Sequence, residues 1–146
     1  MPRAWRDTAR AMSEENVEVV RRVYEAVERG DRAAVLDLYA PDLEVDGSRT
    51  PLTRMVGEEV KGHEGLKTFF RERAEAWDEI EDRCEELIDA GEHVIAIVTI
   101  SGRGRSTGIN VETQMAGVWT VDKGKITRVV WFTTREEALE AAGLSE

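Results

Sequence analysis

The apolar pattern of this chain changes period once, and that change limits the folds open to it. Up to about Trp77 the apolar residues recur at three- and four-residue spacing, as on one face of a helix. From Ile80 onward the spacing is two, as on one face of a strand. Four strands are predicted, over residues 80–88, 93–103, 109–121 and 125–133, joined by the turn sequences DAGE, GRST and DKGK. A long antiparallel meander therefore follows a helical first half.

That first half is punctuated clearly. Ser13 is the expected N-cap of the first helix, with Glu14 and Glu15 at the positive end of its dipole. Val17, Val20, Tyr24 and Val27 form its apolar stripe, and Gly30 ends it. Asp31 caps a short second helix whose inner face is Ala34, Val35 and Leu38, stopped by Pro41. A strand over about residues 43–46 follows, and residues 47–61 read as a loop. A third helix is expected over residues 63–77, with Leu66, Phe69, Phe70, Arg73, Ala74 and Trp77 at helical spacing. At the far end, TREE is a capping box that opens a short helix closed by Gly143. Residues 1–12 stand apart as an N-terminal extension, disordered or docked through Trp5, and 13–146 form one domain. The fold class is α+β, with helices segregated on one face of a curved sheet.

Charge and cysteine count exclude several functions. With 20 Lys and Arg against 30 Asp and Glu, the net charge of −10 disfavours a phosphate-tracking nucleic-acid surface and an anionic membrane. The single cysteine, Cys84, excludes an internal disulfide framework and a thiolate metal cluster. His63 and His93 lie at predicted element ends without partner spacing, so no metal site is expected. GRGRSTG is glycine-rich but sits in a hairpin, not in the strand-to-helix context that cradles phosphate. No run approaches the length of a membrane span, and a cytoplasmic protein is the expectation.

Three segments, VYEAVERGDRAAVLDLYAPDLEV, VKGHEGLKTFF and MAGVWTVDKGKITRVVWF, resemble the SnoaL-like branch of the nuclear transport factor 2-like superfamily. The resemblance runs from Ser13 to the terminus. It implies a cone-shaped α+β barrel: three N-terminal helices packed in a curved antiparallel sheet, a short C-terminal helix, and an apolar pocket inside. It also implies a homodimer formed through the sheet, a small apolar molecule as partner, and no cofactor. Isomerases, cyclases, dehydratases, epoxide hydrolases and binding proteins share this fold, so the fold leaves the reaction open. Tyr24, Met55, Trp77, Met115, Trp119 and Trp131 are the candidate pocket residues. For the tryptophans, core packing and ligand contact both fit.

One acid is the candidate catalytic residue. Asp46 ends the first strand, close to where the resembling ketosteroid isomerase carries its carboxylate base. Matched by GD, the strand and DKGK, the isomerase's tyrosine falls on Val23, its base on Gly47 and its protonated Asp on Gly117. All three identities are lost, which argues against that activity. Neighbours on a strand face opposite ways, so Asp46 faces the cone only if a bulge at Gly47 turns it inward. Epoxide hydrolases of the superfamily use an Asp-Arg-Asp set, whereas the last strand here has Arg128 and no acid. Two expectations follow: a cofactor-free isomerase, cyclase or dehydratase acting on an apolar ring compound, with Asp46 as base and Tyr24 as hydroxyl donor, or a non-catalytic protein (a ligand binder or a dimeric scaffold) of the same fold.

Overall fold

The computed structural model describes residues 3–144, without the side chains of residues 3–9 and Arg54. The docking expected of Trp5 lies outside those described side chains. The described elements run α1 (Arg3–Arg29), α2 (Arg32–Leu38), β1 (Tyr39–Asp46), α3 (Thr53–Val56), β2 (Glu59–Lys61) and α4 (Gly62–Ala76). They continue with β3 (Trp77–Ala90), β4 (His93–Gly104), β5 (Asn110–Asp122), β6 (Lys125–Phe132) and α5 (Arg135–Ala141).

Local chemistry accounts for most boundaries. Gly30, at φ 70°, closes α1 as its N–H donates to Val27 O and the Asp31 N–H to Ala26 O. The Asp31 carboxylate then accepts from the Ala34 N–H at 3.1 Å and opens α2. Lys123 and Gly124 both take positive φ, the geometry of a two-residue hairpin turn between β5 and β6. Thr134 caps α5 by accepting from the Glu137 N–H.

Four boundaries differ from the sequence reading. β1 starts at Tyr39, not near residue 43, and Pro41 lies inside it, because α2 already ends at Leu38. The first helix starts at Arg3, not at Ser13, and the Ser13 hydroxyl donates within it to Arg10 O at 3.0 Å. Trp77 begins β3 and does not end α4. The stretch read as a loop holds one turn of helix, α3, and the three-residue strand β2.

The six strands form one curled sheet in the order β2-β1-β6-β5-β4-β3. It is antiparallel except at one seam, where β1 runs parallel to β6 with Val45 opposite Val129. That mixed pairing corrects the all-antiparallel expectation. The period-two pattern sorts side chains to the two faces. Val94, Ala96, Val98 and Ile100 of β4 pack with α1, α2 and α4 inside the curl, while Ile95 and Ile97 pack with Ala138 and Leu139 of α5 outside it. Leu43, Val20 and Val94 are completely buried, each contributing about 1.5–3 kcal/mol through removal of apolar surface from water. Among the described residues no helix is long and apolar enough to cross a membrane.

Candidate functional site

The inner cluster does not fill the curl. A cavity of about 70 Å³ remains, walled by Tyr24 of α1, Tyr39 of β1, Met55 of α3, Phe69 of α4, Trp119 of β5 and Trp131 of β6, among others. A second crevice of about 170 Å³ adjoins it, and Val27, Val35, Phe70, Arg73 and Asp82 line both. Sites for drug-sized ligands run to roughly 300–1,000 Å³, and the inner cavity alone holds about two water molecules.

Aromatic packing shapes the inner wall. Trp119 is its hub, meeting Tyr24 edge-on at 5.6 Å between ring centroids, Tyr39 at 6.2 Å and Trp131 at 6.3 Å. Gly117 makes this possible: a Cβ there would lie 2.8 Å from Trp119 Nε1 and 3.1 Å from a Trp131 ring carbon. Two indoles therefore occupy space that any side chain at 117 would claim.

The polar groups are few and buried. Arg73 reaches across from α4 to β3 and donates from Nη1 and Nη2 to the two carboxylate oxygens of Asp82, each at 2.6 Å. Their side chains are 9% and 15% exposed, so this bidentate pair sits largely out of water. The Arg73 guanidinium also lies over the Phe69 ring at 5.8 Å. Burial pushes the Tyr24 hydroxyl well above the ordinary tyrosine value, with the Asp82 charge adding to it. Tyr39 is raised by the same two causes in the same order. Both phenols stay protonated and able to donate. Among the described residues three buried side-chain N–H groups find no acceptor: Arg73 Nε, Trp77 Nε1 and Trp119 Nε1. Leaving such a donor unpaired costs about 1–3 kcal/mol. Two of the three belong to residues that line the cavity.

The predicted pocket residues separate on this geometry. Tyr24, Met55, Trp119 and Trp131 line the cavity, whereas Met115 and Trp77 do not. Met115 is 2% exposed within the inner core cluster, and Trp77 packs against that cluster from the start of β3, over Gly102. Asp46 stands outside the cone. Val45 takes the inward position, and the Asp46 carboxylate accepts from the Ser48 N–H at 2.9 Å and the Ser48 hydroxyl at 2.6 Å. Those two hydrogen bonds hold it below the usual carboxylate range. It lines a surface groove with Glu44 and Arg128 instead. Gly47 does not turn it inward, because the Gly57 backbone crosses there: a Cβ at 47 would lie 2.0 Å from Gly57 O. The place of the isomerase base is closed to any side chain.

The histidines are occupied at element ends. His63 Nε2 bonds Tyr39 O at 2.8 Å, and His93 Nδ1 bonds the Thr120 hydroxyl at 3.1 Å. Burial raises the Cys84 thiol, which donates weakly to Glu86 O. Among the described residues no group of three His, Cys, Asp or Glu could hold a metal ion. The Arg73–Asp82 pair is the feature that sequence reasoning missed. Its one signal was an arginine on the apolar stripe of a predicted helix.

A family model for the SnoaL-like domain matches residues 20–129. The chain belongs to the SnoaL-like domain family. Solved structures repeat this SnoaL-like fold along nearly their whole length. One is a nuclear transport factor 2-like protein from Burkholderia thailandensis, 29% identical, covering 89% of this chain and 98% of its own, with a TM-score of 0.70. TerC, co-crystallised with polyporic acid, is 21% identical over 88% of this chain and 98% of its own, at 0.70. A Mycobacterium tuberculosis protein in complex with estradiol-17beta-hemisuccinate is 21% identical over 83% and 95%, at 0.67. A comparison with curated proteins gives no match.

Proposed function

We propose that this SnoaL-like protein binds a small ring compound in the cone, with Tyr24, Met55, Trp119 and Trp131 as its apolar wall. The observation that carries the reading is the buried polar set in an otherwise apolar cavity: Arg73, Asp82 and two protonated tyrosines. A few polar groups in an apolar hollow are the usual make-up of a small-ligand site. Fold relatives holding polyporic acid and an estradiol derivative support the same reading. Because the inner cavity holds about two water molecules, even a single ring would extend into the adjoining crevice, past Arg73 and Asp82. The reading includes a homodimer formed through the sheet.

A second reading, proton-transfer catalysis as an isomerase, cyclase or dehydratase, is favoured by one observation. Asp82 places a carboxylate in the cavity wall close enough to raise the Tyr24 hydroxyl. In that reading Asp82, not Asp46, is the base, and Tyr24 the hydroxyl donor.

A thermal-shift screen with ring compounds, followed by product analysis on each hit, tests both. A ligand at about a hundred times its Kd adds roughly 2.7 kcal/mol of stability. Hits that stabilise wild type and Asp46→Asn alike, without turnover, are the expected result. Turnover lost in Asp82→Asn but kept in Asp46→Asn would favour the enzyme. Hits that fail with Asp46→Asn would overturn the placement of the site in the cone.

A further inference from the structure

We infer that the free edge of β3 takes up a basic, extended peptide segment of a partner protein, which adds a strand to the sheet beyond β3, alongside α1. The surface is separate from the cone, although Tyr24, Val27 and Asp82 line both. The inference does not depend on what the cone holds.

The first argument is where the groove runs. Among the described residues β3 is the last strand of the sheet, hydrogen-bonded on one side to β4. A groove of about 660 Å³ touches every residue from Ile80 to Leu87. Successive residues of a strand point to opposite faces, so a hollow that touches them all follows the backbone edge of the strand and not one of its faces. Its opposite wall is one side of α1, with Arg21, Tyr24, Glu25 and Glu28 at helical spacing. Among the described residues no segment besides β4 hydrogen-bonds its backbone to this run. Along such an edge alternate N–H and C=O groups stay open, which makes a template for a further strand. At roughly 3.3 Å per residue the run is about 26 Å long.

The second argument is charge. Glu25, Glu28, Glu81, Glu85 and Glu86 line the groove against two cations, Arg21 and Arg83. Both cations are already committed, Arg21 to Glu18 and Arg83 to Glu85, while Arg135 takes Glu86. Among the described residues Glu25, Glu28 and Glu81 are then left without an ion-pair partner, and all three are exposed. They stand on both walls, the first two on α1 and the third on β3. Between them runs an apolar strip of Ile80, Cys84 and Leu87.

The occupant follows from those two arguments together. An extended segment pairs with the β3 backbone, sets apolar side chains on the strip, and meets the open carboxylates with Lys or Arg. A second copy of this chain does not fit: its own β3 edge would bring the same acids against their like, which is destabilising across a strand pair. The partner is therefore a different protein with a basic strand-forming segment.

The test uses three synthetic peptides of equal length with blocked ends: alternating Lys and Val, alternating Glu and Val, and the Lys/Val peptide with its backbone amides N-methylated. Binding to the 15N-labelled full chain is followed by amide shifts and hydrogen exchange. The Lys/Val peptide is expected to shift and protect amides between Ile80 and Leu87, and the other two to bind at least about tenfold more weakly. The variant Glu25→Lys/Glu28→Lys, changed at exposed helix positions, should weaken the Lys/Val peptide by about tenfold. A methylated peptide that binds as well as its parent would overturn strand addition. A Glu/Val peptide that binds as well would overturn the charge argument and the partner it names. Protection of the β3 amides on self-association, with no peptide present, would give the edge to a second copy and overturn the inference. So would a Lys/Val peptide that does not bind, or that binds and leaves the β3 amides unprotected.

Discussion

Replacing Asp82 by asparagine tests how the buried ion pair is held. Arg73 as a whole is 8% exposed, so its guanidinium depends on the partner carboxylate for nearly all its compensation. With charge centres about 4 Å apart and an effective dielectric of about 20, the mutual attraction is about 4 kcal/mol. Taking each ion out of water costs several kcal/mol, so the intact pair contributes little net stability. Asparagine keeps the shape and removes the charge, which leaves a buried cation unopposed. The expected loss is about 3–5 kcal/mol, a large share of the roughly 5–15 kcal/mol that holds a domain together. Urea unfolding at neutral pH reads it directly. The double variant Arg73→Met/Asp82→Leu is expected to match wild type or exceed it by up to about 4 kcal/mol, because both charges go together. A loss below about 1 kcal/mol for Asp82→Asn would mean that water reaches the guanidinium, and the reasoning from burial would fail.

The two tyrosines give a pH signature. Tyr24 and Tyr39 are the tyrosines of the chain, and both are raised chiefly by burial. A raised folded pKa contributes stability that is complete below the unfolded value near 10 and is lost as pH climbs above it, by about 1.4 kcal/mol per pH unit for each tyrosine. Ultraviolet difference absorbance should show both phenols ionising together with unfolding; a tyrosine titrating near pH 10 in protein that is still folded would refute their burial. The homodimer predicts a light-scattering mass near twice 16.4 kDa at micromolar concentration, and a monomeric mass would remove it.

The sequence disclosed most of the fold because its punctuation is local. Gly30 and Asp31 end one helix and start the next by bonds within four or five residues, and Lys123–Gly124 sets a hairpin by its own φ angles. Where the structure departs, no local signal existed. Nothing breaks the chain between Ala76 and Trp77, so helical spacing carries Trp77 along although its backbone is already extended, at φ −128° and ψ 138°. Nothing breaks it between Arg3 and Ser13 either, so a good capping residue ends up inside a helix. The cavity wall was legible for the aromatics Tyr24, Trp119 and Trp131 and for Met55 in the stretch read as a loop. It was not legible for Asp82, whose role comes from a partner nine residues back across a helix–strand boundary. Gly47 and Gly117 carried no sequence sign that the first is crossed by the Gly57 backbone and the second is covered by indoles.

The single parallel seam of the sheet has a consequence in time. Val45 and its neighbour Val129 lie 84 residues apart along the chain, so β1 cannot join the sheet until β6 has been made. At a synthesis rate of about 5–20 residues per second, that wait is roughly 4–17 s. Through it the one ladder open to β1 is the three-residue pairing with β2. Val129 and Trp131, which close the floor of the cavity, arrive with that same last strand. On the ribosome, the hollow that would hold the ligand is closed only when the last strand has been made, with just α5 still to follow.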